Sequence, residues 1–163
     1  MLGASAVGKT SLVRRFVEGI FREEYVTTIG VNIQKKEVTL ADTEVTLLLW
    51  DLNGEDRFQS VSTSYLRGMG GYLLVADGTR PETLDTALTL HDRAQETAGE
   101  VPFYLLVNKV DLKEAADVEW GLSSEVLDDH GLSDWPVLYT SAKNGTRVEE
   151  AFTGLAKASS APS

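Results

Sequence analysis

The 163-residue sequence contains no cysteine. The chain therefore has no disulfide, no thiolate metal site, no cysteine nucleophile and no acceptor for a prenyl or palmitoyl group. It also lacks an apolar run long enough to cross a bilayer and the layout of a secretory signal, so no transmembrane segment is expected. These absences are typical of a reducing compartment, and we expect a cytoplasmic location.

Basic residues are scarce as well: 15 Lys and Arg stand against 25 Asp and Glu, and the formal net charge is −10. Such a surface repels nucleic-acid backbones and anionic lipid heads, so neither is expected as a partner. Any phosphate group that binds must be held by local donors against this field. The length and the hydrophobic fraction of 42% predict one compact domain over residues 1–158, followed by a disordered tail at 159–163.

Apolar strand-like runs alternate with segments of helical period, which predicts an α/β fold with a doubly wound, mainly parallel sheet. The polar segment 31–40 and a turn at 41–43 predict an antiparallel hairpin, with the polar strand at a sheet edge. Continuous apolar runs predict buried strands at residues 45–50, 72–76, 101–107 and 137–139.

Apolar residues at helical spacing predict three helices, over residues 12–20, 84–94 and 148–156. Shorter or less regular patterns predict two more helices, at residues 122–127 and 59–66. The two histidines, His91 and His130, fall on or near these helices. We interpret both as structural rather than catalytic residues.

The strongest motif matches G-x-x-x-x-G-K-S/T at every fixed position. Its residues, with the one that follows, are Gly3, Ala4, Ser5, Ala6, Val7, Gly8, Lys9, Thr10 and Ser11. A curled loop of this type points backbone N–H groups at phosphate oxygens. The lysine brings positive charge to the β- and γ-phosphates, the threonine hydroxyl is a ligand for Mg²⁺, and the helix adds its positive dipole end. The alternative is a chance glycine turn before a helix.

A second motif, D-x-x-G, is formed by Asp51 and Gly54 at the end of a predicted strand. The carboxylate reaches Mg²⁺ through water, and the glycine N–H is placed to meet a γ-phosphate. A plain Asp-x-x-Gly turn is the alternative, because this motif is weak on its own.

Two further motifs predict recognition of a guanine base. Asn108, Lys109 and Asp111 fit N-K-x-D, in which the aspartate accepts two hydrogen bonds that guanine offers and adenine does not. The segment Ser141, Ala142 and Lys143 presents a backbone N–H to the guanine carbonyl oxygen. Each motif follows a predicted strand, at the edge where open α/β sheets bind ligands. Together the four motifs predict a site for GTP or GDP with Mg²⁺.

With these motifs the sequence resembles the Ras-superfamily small GTPases, closest in style to the Rab branch, from Gly3 to about Lys143. Segments 27–31, 50–58 and 64–68 carry the rest of the resemblance. It implies the fold of a P-loop NTPase G domain over residues 1–158, with five helices, strand order 2-3-1-4-5-6 and one antiparallel edge strand. It also implies two switch loops and hydrolysis of GTP to GDP and phosphate.

The resemblance also assigns roles to residues outside these motifs. Thr28 corresponds to the switch residue that coordinates Mg²⁺ and touches the γ-phosphate. Phe21 corresponds to the residue that packs edge-on against guanine, and Tyr25 to one that covers the phosphates. For Phe21 the alternative is a core residue after the first helix.

A partner surface is implied where Rab proteins display an aromatic triad to effectors. Ile33, Trp50 and Tyr65 fall at these positions, although Ile33 departs from the usual Phe. Through this surface and the switch loops we expect an effector, an exchange factor and a GTPase-activating protein to bind. The alternative is that the three residues cover the core side of the hairpin.

The sequence departs from the family pattern at several positions. Only Met1 and Leu2 precede the phosphate loop, where the family has a full central strand. A sheet without its middle strand would expose two long edges, so we expect a truncation there; the alternative is a compromised sheet. Glu55 replaces the usual Gln, Asn53 replaces a small residue, and Ser5 stands where many relatives carry Gly.

The change at Glu55 bears on catalysis, for which the resemblance implies Lys9, Thr28, Gly54 and Glu55. An ionised Glu accepts hydrogen bonds only and adds negative charge beside the developing negative charge, so slow hydrolysis is expected. The counter-interpretation is a protonated Glu55, or one that acts as a base. A GTP-binding interaction module with negligible hydrolysis is the alternative function. A P-loop small-molecule kinase is a third, which leaves the N-K-x-D motif unexplained.

Overall fold

The structure is a computed structural model and describes residues 1–23, 31–52 and 63–161. Its strands and helices alternate along the chain, which confirms the predicted α/β class. The elements are β1 (Leu2–Gly3), α1 (Lys9–Glu18), β2 (Val31–Leu40), β3 (Thr43–Leu52), α2 (Thr63–Leu66), β4 (Tyr72–Asp77), α3 (Glu82–Ala98), β5 (Phe103–Asn108), a 3-10 helix (Val110–Leu112), α4 (Ser124–Asp129), β6 (Val137–Tyr139) and α5 (Val148–Ser160).

Four parallel strands form the main sheet, in the order β1-β4-β5-β6. β4 and β5 pair along six positions, from Tyr72 opposite Phe103 to Asp77 opposite Asn108. Every residue of β4 is buried, because helices cover both faces of the sheet. β5 begins two residues after its predicted start, since Pro102 has no N–H to give to a ladder.

The hairpin of β2 and β3 pairs over ten positions, from Val31 opposite Leu52 to Leu40 opposite Thr43. The strands follow the implied order 2-3-1-4-5-6 in two parts, because in the described residues the two-residue β1 forms a ladder with β4 and none with β3. β1 has two residues, and it meets β3 where the Met1 amino group donates to the Trp50 carbonyl at 2.9 Å. Beyond this contact a cavity of about 510 Å³ opens between β3 and β4.

Two helices begin or end differently from the predictions. α1 ends at Glu18 because Gly19 adopts a left-handed conformation (φ 72°) and its N–H bonds the Arg15 carbonyl. Ile20 therefore lies outside the helix and is 40% exposed, so its predicted place on the buried stripe is wrong. α4 begins at Ser124, after a cap in which the Ser123 hydroxyl accepts from a backbone N–H.

The last helix is longer than predicted. α5 continues to Ser160, so the predicted disordered tail at 159–163 is wrong for residues 159 and 160. Residue 158 is alanine, the residue type with the highest helix propensity. Ser159 lies against Gly70 and Gly71, just before β4. Residues 162 and 163 lie outside the described part of the chain.

The core has one apolar cluster on each face of the main sheet. On one face α3 buries Leu84, Ala87, Leu90 and Ala94 against β4 and β5. On the other face α1 and α5 pack together, and the rings of Phe16 and Phe152 are stacked with centroids 4.4 Å apart. The loops at the carboxyl ends of the strands are therefore held between two packed layers. No helix in the described ranges has the length and apolar content of a membrane span.

A polar network lies at the opposite end of the sheet from these loops. The Gln95 amide donates to the Tyr72 hydroxyl, which is 2.8 Å from Nδ1 of His91. The Tyr72 hydroxyl and Nδ1 thus share a hydrogen bond, in which the donor is set by the tautomer of the His91 ring. The ring of His91 also packs against Phe103 and Trp135, with centroids 4.6 and 4.5 Å away. Burial lowers the pKa of His91, and the nearby Asp92 carboxylate opposes this shift.

This network predicts a loss of stability on mild acidification. Because the folded pKa of His91 lies below its ordinary value of 6.5, the unfolded chain binds the proton more readily. The stabilisation is complete above about pH 6.5 and is lost as the pH falls through the folded pKa. Urea unfolding at several pH values should show this slope in the wild type.

The slope should be smaller in His91→Asn, which keeps an acceptor near Nδ1 but does not titrate. His130→Asn, at the exposed second histidine, serves as the control and should keep the wild-type slope. Equal slopes in all three proteins would contradict the assignment.

Candidate functional site

The predicted site residues meet where the strands of the main sheet end. The phosphate loop, residues 3–10, joins β1 to α1. The N-K-x-D residues follow β5, and residues 141–143 follow β6. Asp51 lies near the end of β3. Because parallel strands present their carboxyl ends at one edge, residues far apart in sequence come together there.

Two positions of the phosphate loop require glycine, because neighbouring atoms lie where a Cβ atom would be. A Cβ on Gly3 would lie 2.5 Å from the Val75 carbonyl oxygen of β4. Gly8 has φ 105°, and a Cβ there would lie 2.2 Å from Nδ2 of Asn108. Ala6 adopts a left-handed conformation as well, with φ 62°. The loop is thus curled tightly against the strand ends, at a cost in strain at Ala6.

Lys9 is the first residue of α1, and its relative exposure is only 7%. Its Nζ donates to the carbonyls of Gly3 and Ala4 at 3.1 and 2.9 Å, so the side chain folds back across the loop. Gly8 is the N-cap of α1 and offers no side-chain cap. The ammonium and the uncapped helix start lie at the same place, which is a suitable arrangement for an anion.

Asp51 and Thr10 form the place where a metal ion would fit. The Thr10 hydroxyl donates to Oδ2 of Asp51, and Asp51 is fully buried. Its Oδ1 has no hydrogen-bond partner in the part of the chain that the structure describes. A buried carboxylate with an unpartnered oxygen is costly unless a cation or donor meets it.

The chemistry of these donors suits Mg²⁺, which prefers oxygen ligands and is commonly held by one or two protein groups plus substrate phosphates. The described ranges contain no group of three or more His, Cys, Asp or Glu side chains that would hold a metal alone. The remaining ligands would therefore come from water, from a bound nucleotide or from residues such as Thr28. Thr28 lies outside the described residues.

Three successive carbonyls of the phosphate loop are held by side chains from the ends of β4 and β5. Nη2 of Arg80 donates to Ser5 O at 2.8 Å, Nζ of Lys109 to Ala6 O at 3.0 Å, and Nδ2 of Asn108 to Val7 O at 2.9 Å. The Asn108 amide oxygen in turn accepts from the Thr140 hydroxyl. Asn108 and Lys109 thus support the loop, while Arg80 was missed by the sequence analysis.

Arg80 and Lys109 also share the buried carboxylate of Asp77, the last residue of β4. Nζ of Lys109 lies 2.8 Å and Nε of Arg80 3.1 Å from Oδ2 of Asp77. Oδ1 accepts from the backbone N–H and hydroxyl of Thr79. Burial favours a raised pKa for Asp77, but the hydrogen bonds from Lys109 and Thr79 outweigh it and lower the pKa. Asp77 is therefore ionised. No motif marks it in the sequence.

Asp111 lies at the base end of the site, in the 3-10 helix after β5. The Ser141 hydroxyl donates to its Oδ1 at 2.7 Å. Ser141 is fully buried, and its hydroxyl also accepts from the backbone N–H of Asn144. These bonds place the predicted aspartate and the loop after β6 side by side.

Arg15 fixes the loop after β6 to α1. Its Nε donates to Ala142 O at 2.8 Å, its Nη2 to Lys143 O, and its Nη1 to Gly19 O at 3.1 Å. The side chain of Lys143 itself is exposed and lies 3.5 Å from Glu23. The sequence analysis gave no role to Arg15, because an arginine on a helix shows no motif that reports such a distant contact.

The remaining predicted residues are placed only in part. Phe21 is half-buried and packs against the apolar cluster of α1 and α5, as its core interpretation expects. Ser11 is half-buried in the first turn of α1. Tyr25, Gly54 and Glu55 lie outside the described residues, as does Asn53.

The hairpin carries an exposed apolar surface. Ile33 and Trp50 are register partners and are 49% and 39% exposed, and Tyr65 is 41% exposed. The rings of Trp50 and Tyr65 lie 6.2 Å apart. These three side chains therefore face outward, rather than covering the core side of the hairpin. Leu48, which is 61% exposed on the same face of β3, extends the surface and was missed.

Comparisons with known proteins agree with the motifs. The Ras family profile matches residues 1–161. The chain is 35% identical over 158 residues to Ras-related protein Rab-8B of Dictyostelium discoideum, which covers 96% of this chain and 76% of that relative. It is 35% identical over 163 residues to Ras-related protein Rab-7b of Paramecium octaurelia, covering 97% and 78%. GTP-binding protein YPT1 of Saccharomyces cerevisiae is 35% identical over 158 residues, covering 96% and 75%.

The close approach at Gly8 leads to a stability prediction. Gly8→Ala should lower the free energy of unfolding by about 1–3 kcal/mol, because it strains a positive φ and displaces the Asn108 amide from Val7 O. Urea unfolding monitored by tryptophan fluorescence measures the change. Gly70→Ala is the control, since its Cβ would make ordinary contact with Ser159 at 3.7 Å. Equal stability of the two variants would show that the loop does not need this approach.

Proposed function

The chain belongs to the Ras family, and on that premise we propose a guanine-nucleotide-dependent switch that binds GTP or GDP with Mg²⁺ and hydrolyses GTP slowly. One structural observation supports the proposal in addition to the family relation. The phosphate loop, Asp51, the N-K-x-D residues and the Ser141 segment converge at a single edge of the sheet. The chemistry of each group suits one part of a guanine nucleotide, which supports the proposal.

The phosphate end of the site is assigned to Lys9 and the loop backbone. When the polyphosphate enters, Nζ of Lys9 exchanges the carbonyls of Gly3 and Ala4 for β- and γ-phosphate oxygens. The loop N–H groups and the start of α1 supply further positive potential. These local donors act against the net charge of −10, which by itself repels a polyanion.

Thr10 and Asp51 are assigned to Mg²⁺, with Thr28 as a further ligand from its sequence position. Oδ1 of buried Asp51, which has no hydrogen-bond partner within the described ranges, supports this assignment. When bound, Mg²⁺ supplies a Lewis acid that neutralises charge on the β- and γ-phosphates. The residues themselves orient the site: the Thr10 hydroxyl keeps the Asp51 carboxylate turned toward the phosphate loop.

The base end is assigned to Asp111 and the segment Ser141, Ala142 and Lys143. The Ser141 hydroxyl occupies Oδ1 of Asp111 and thereby fixes the carboxylate plane. A fixed carboxylate accepts from the ring N–H and the amino group of guanine, whereas adenine lacks this donor pair. The Ser141 N–H already donates to the Thr146 carbonyl at 3.1 Å, so the backbone N–H groups of Ala142 and Lys143 are assigned to the guanine carbonyl oxygen.

Hydrolysis is proposed as in-line attack of water on the γ-phosphorus, with the bond to the β–γ bridging oxygen breaking. Lys9 meets the charge that develops on the phosphoryl oxygens, and Gly54 and Thr28 sense the γ-phosphate. Glu55 stands where a donor amide would orient the water and the phosphoryl group. As an ionised acceptor it opposes the transition state, so the proposed rate is slow.

Nucleotide state is proposed to control binding of partners at the exposed surface of Ile33, Leu48, Trp50 and Tyr65. β3 connects this surface directly to Asp51, because Trp50 precedes it in the strand. An effector, an exchange factor and a GTPase-activating protein are the expected classes of partner. Large exposed aromatic side chains are suitable anchors for such interfaces.

Two single substitutions should separate the phosphate and base functions. Lys9→Met should weaken GDP and ADP alike by about tenfold to a hundredfold, because it removes charged hydrogen bonds from the phosphates. Asp111→Ala should remove the preference of the wild type for GDP over ADP. Asp117→Ala, at an exposed aspartate, is the control. Fluorescent-nucleotide titration gives each Kd, and a wild type without preference for guanine would refute the proposal.

Hydrolysis is tested by changing Glu55 alone. Glu55→Gln should raise the single-turnover rate of GTP hydrolysis by about tenfold or more, since it restores a donor and removes a negative charge. Timed chromatography of the bound nucleotide measures the rate, with exposed Glu100→Gln as the control. An unchanged or lower rate contradicts the assigned role. GTP that survives for days in the wild type favours the interaction module instead.

A further inference from the structure

Arg80 connects a buried carboxylate to the phosphate loop without belonging to any nucleotide-binding motif. Its Nε lies 3.1 Å from Oδ2 of Asp77, and its Nη2 donates to Ser5 O at 2.8 Å. Asp77 is 1% exposed, whereas the Arg80 side chain is 38% exposed. A buried, ionised carboxylate thus fixes one edge of the guanidinium, and the other edge reaches the loop.

The bond to Ser5 completes a row of supports. The carbonyls of Ser5, Ala6 and Val7 are held by Arg80, Lys109 and Asn108 in turn. In a trans peptide the N–H points opposite to the carbonyl. With these carbonyls held toward the strand ends, the N–H groups of the following residues point away from those ends.

We propose that Arg80, oriented by Asp77, is a positioning residue of the phosphate loop that fixes the Ser5–Ala6 peptide for the β- and γ-phosphates. The inference rests on the proposed function of this site. Arg80 acts through the loop, since its two described side-chain hydrogen bonds are made by guanidinium nitrogens to protein oxygens. Its loss lets this peptide rotate, which turns a carbonyl oxygen toward the phosphates in part of the molecules.

The geometry requires an arginine rather than any cation. The guanidinium is planar and presents separate donors to Asp77 and to Ser5. A lysine ammonium carries its donors on one atom, which has to serve two acceptors on opposite sides. Arg80→Lys therefore keeps the charge but supports the loop less well.

The test compares nucleotides that differ in phosphate number. Arg80→Met should weaken GDP and GTP by about tenfold, the size expected for one charged hydrogen bond, and GMP by less than about twofold. Arg80→Lys should give the same pattern with a smaller loss, of about threefold. Arg14→Met is the matched control: it makes the same charge change on α1, and no described hydrogen bond or ion pair involves Arg14. Competition against fluorescent GDP measures each Kd, and thermal unfolding confirms that each variant is folded.

Asp77→Asn separates positioning from long-range attraction. Removing a negative charge near the site strengthens the general attraction for a polyanion, so an electrostatic effect alone predicts tighter GDP binding. Positioning predicts weaker GDP binding, because Arg80 and Lys109 lose the carboxylate that orients them. The sign of the change decides between the two.

The inference is overturned if Arg80→Met matches Arg14→Met, if GMP and GDP weaken equally, or if Asp77→Asn binds GDP more tightly. Should Arg80→Met fail to fold, the ratio of GDP to GMP weakening in Arg80→Lys decides. These outcomes leave the proposed function intact when the wild type binds GDP. A wild type that binds neither GDP nor GTP refutes the proposed function and, with it, this inference.

Discussion

The site depends on the outward anchoring of the phosphate-loop carbonyls. Residues 4–8 of the loop are not paired in a β-sheet. Ala6 and Gly8 have positive φ values, which an unconstrained chain would rarely keep. Side chains from two neighbouring strands compensate for this by binding successive carbonyl oxygens. β4 and β5 are paired along their length, and β4 is fully buried. Side chains at the ends of these rigid strands therefore hold the irregular phosphate loop in one conformation. Phosphate recognition then follows from peptide geometry rather than from a dedicated side chain for each oxygen.

Electrostatics in this protein works locally and against the global charge. The chain has ten more acidic than basic residues, yet four of its cations, Lys9, Arg15, Arg80 and Lys109, bind carbonyls around one site. Asp77 is the counter-charge that permits two of them to approach each other. A buried carboxylate among cations adds little net stability, but it restricts their orientation. Asp51 differs from Asp77, because its Oδ1 has no hydrogen-bond partner among the described residues and is open to a cation.

Much of the fold was accessible from sequence because its signals are local. The runs at 31–40 and 137–139 gave β2 and β6 at their observed bounds, and the glycine motif placed the loop before α1. The ends of helices were less accessible, since Gly19 stops α1 before Ile20. The division of the strands into two sheets follows from the two-residue β1, which the sequence already showed as a shortened central strand. Arg15, Asp77 and Arg80 were missed because their partners lie 75 or more residues away or are identified only by the fold.

The bond from Arg15 to the loop after β6 has a consequence for biosynthesis. The two partners are separated by 127 residues, so the phosphate end of the pocket leaves the ribosome long before the base end. Domains form during synthesis at roughly 5–20 residues per second, so the interval lasts several seconds or more. Until Arg80, Asn108 and Lys109 emerge, the phosphate loop lacks the side chains that hold its carbonyls, and until residues 141–143 emerge the site lacks part of its base end. Discrimination between purines is therefore acquired only when translation of the domain is nearly finished.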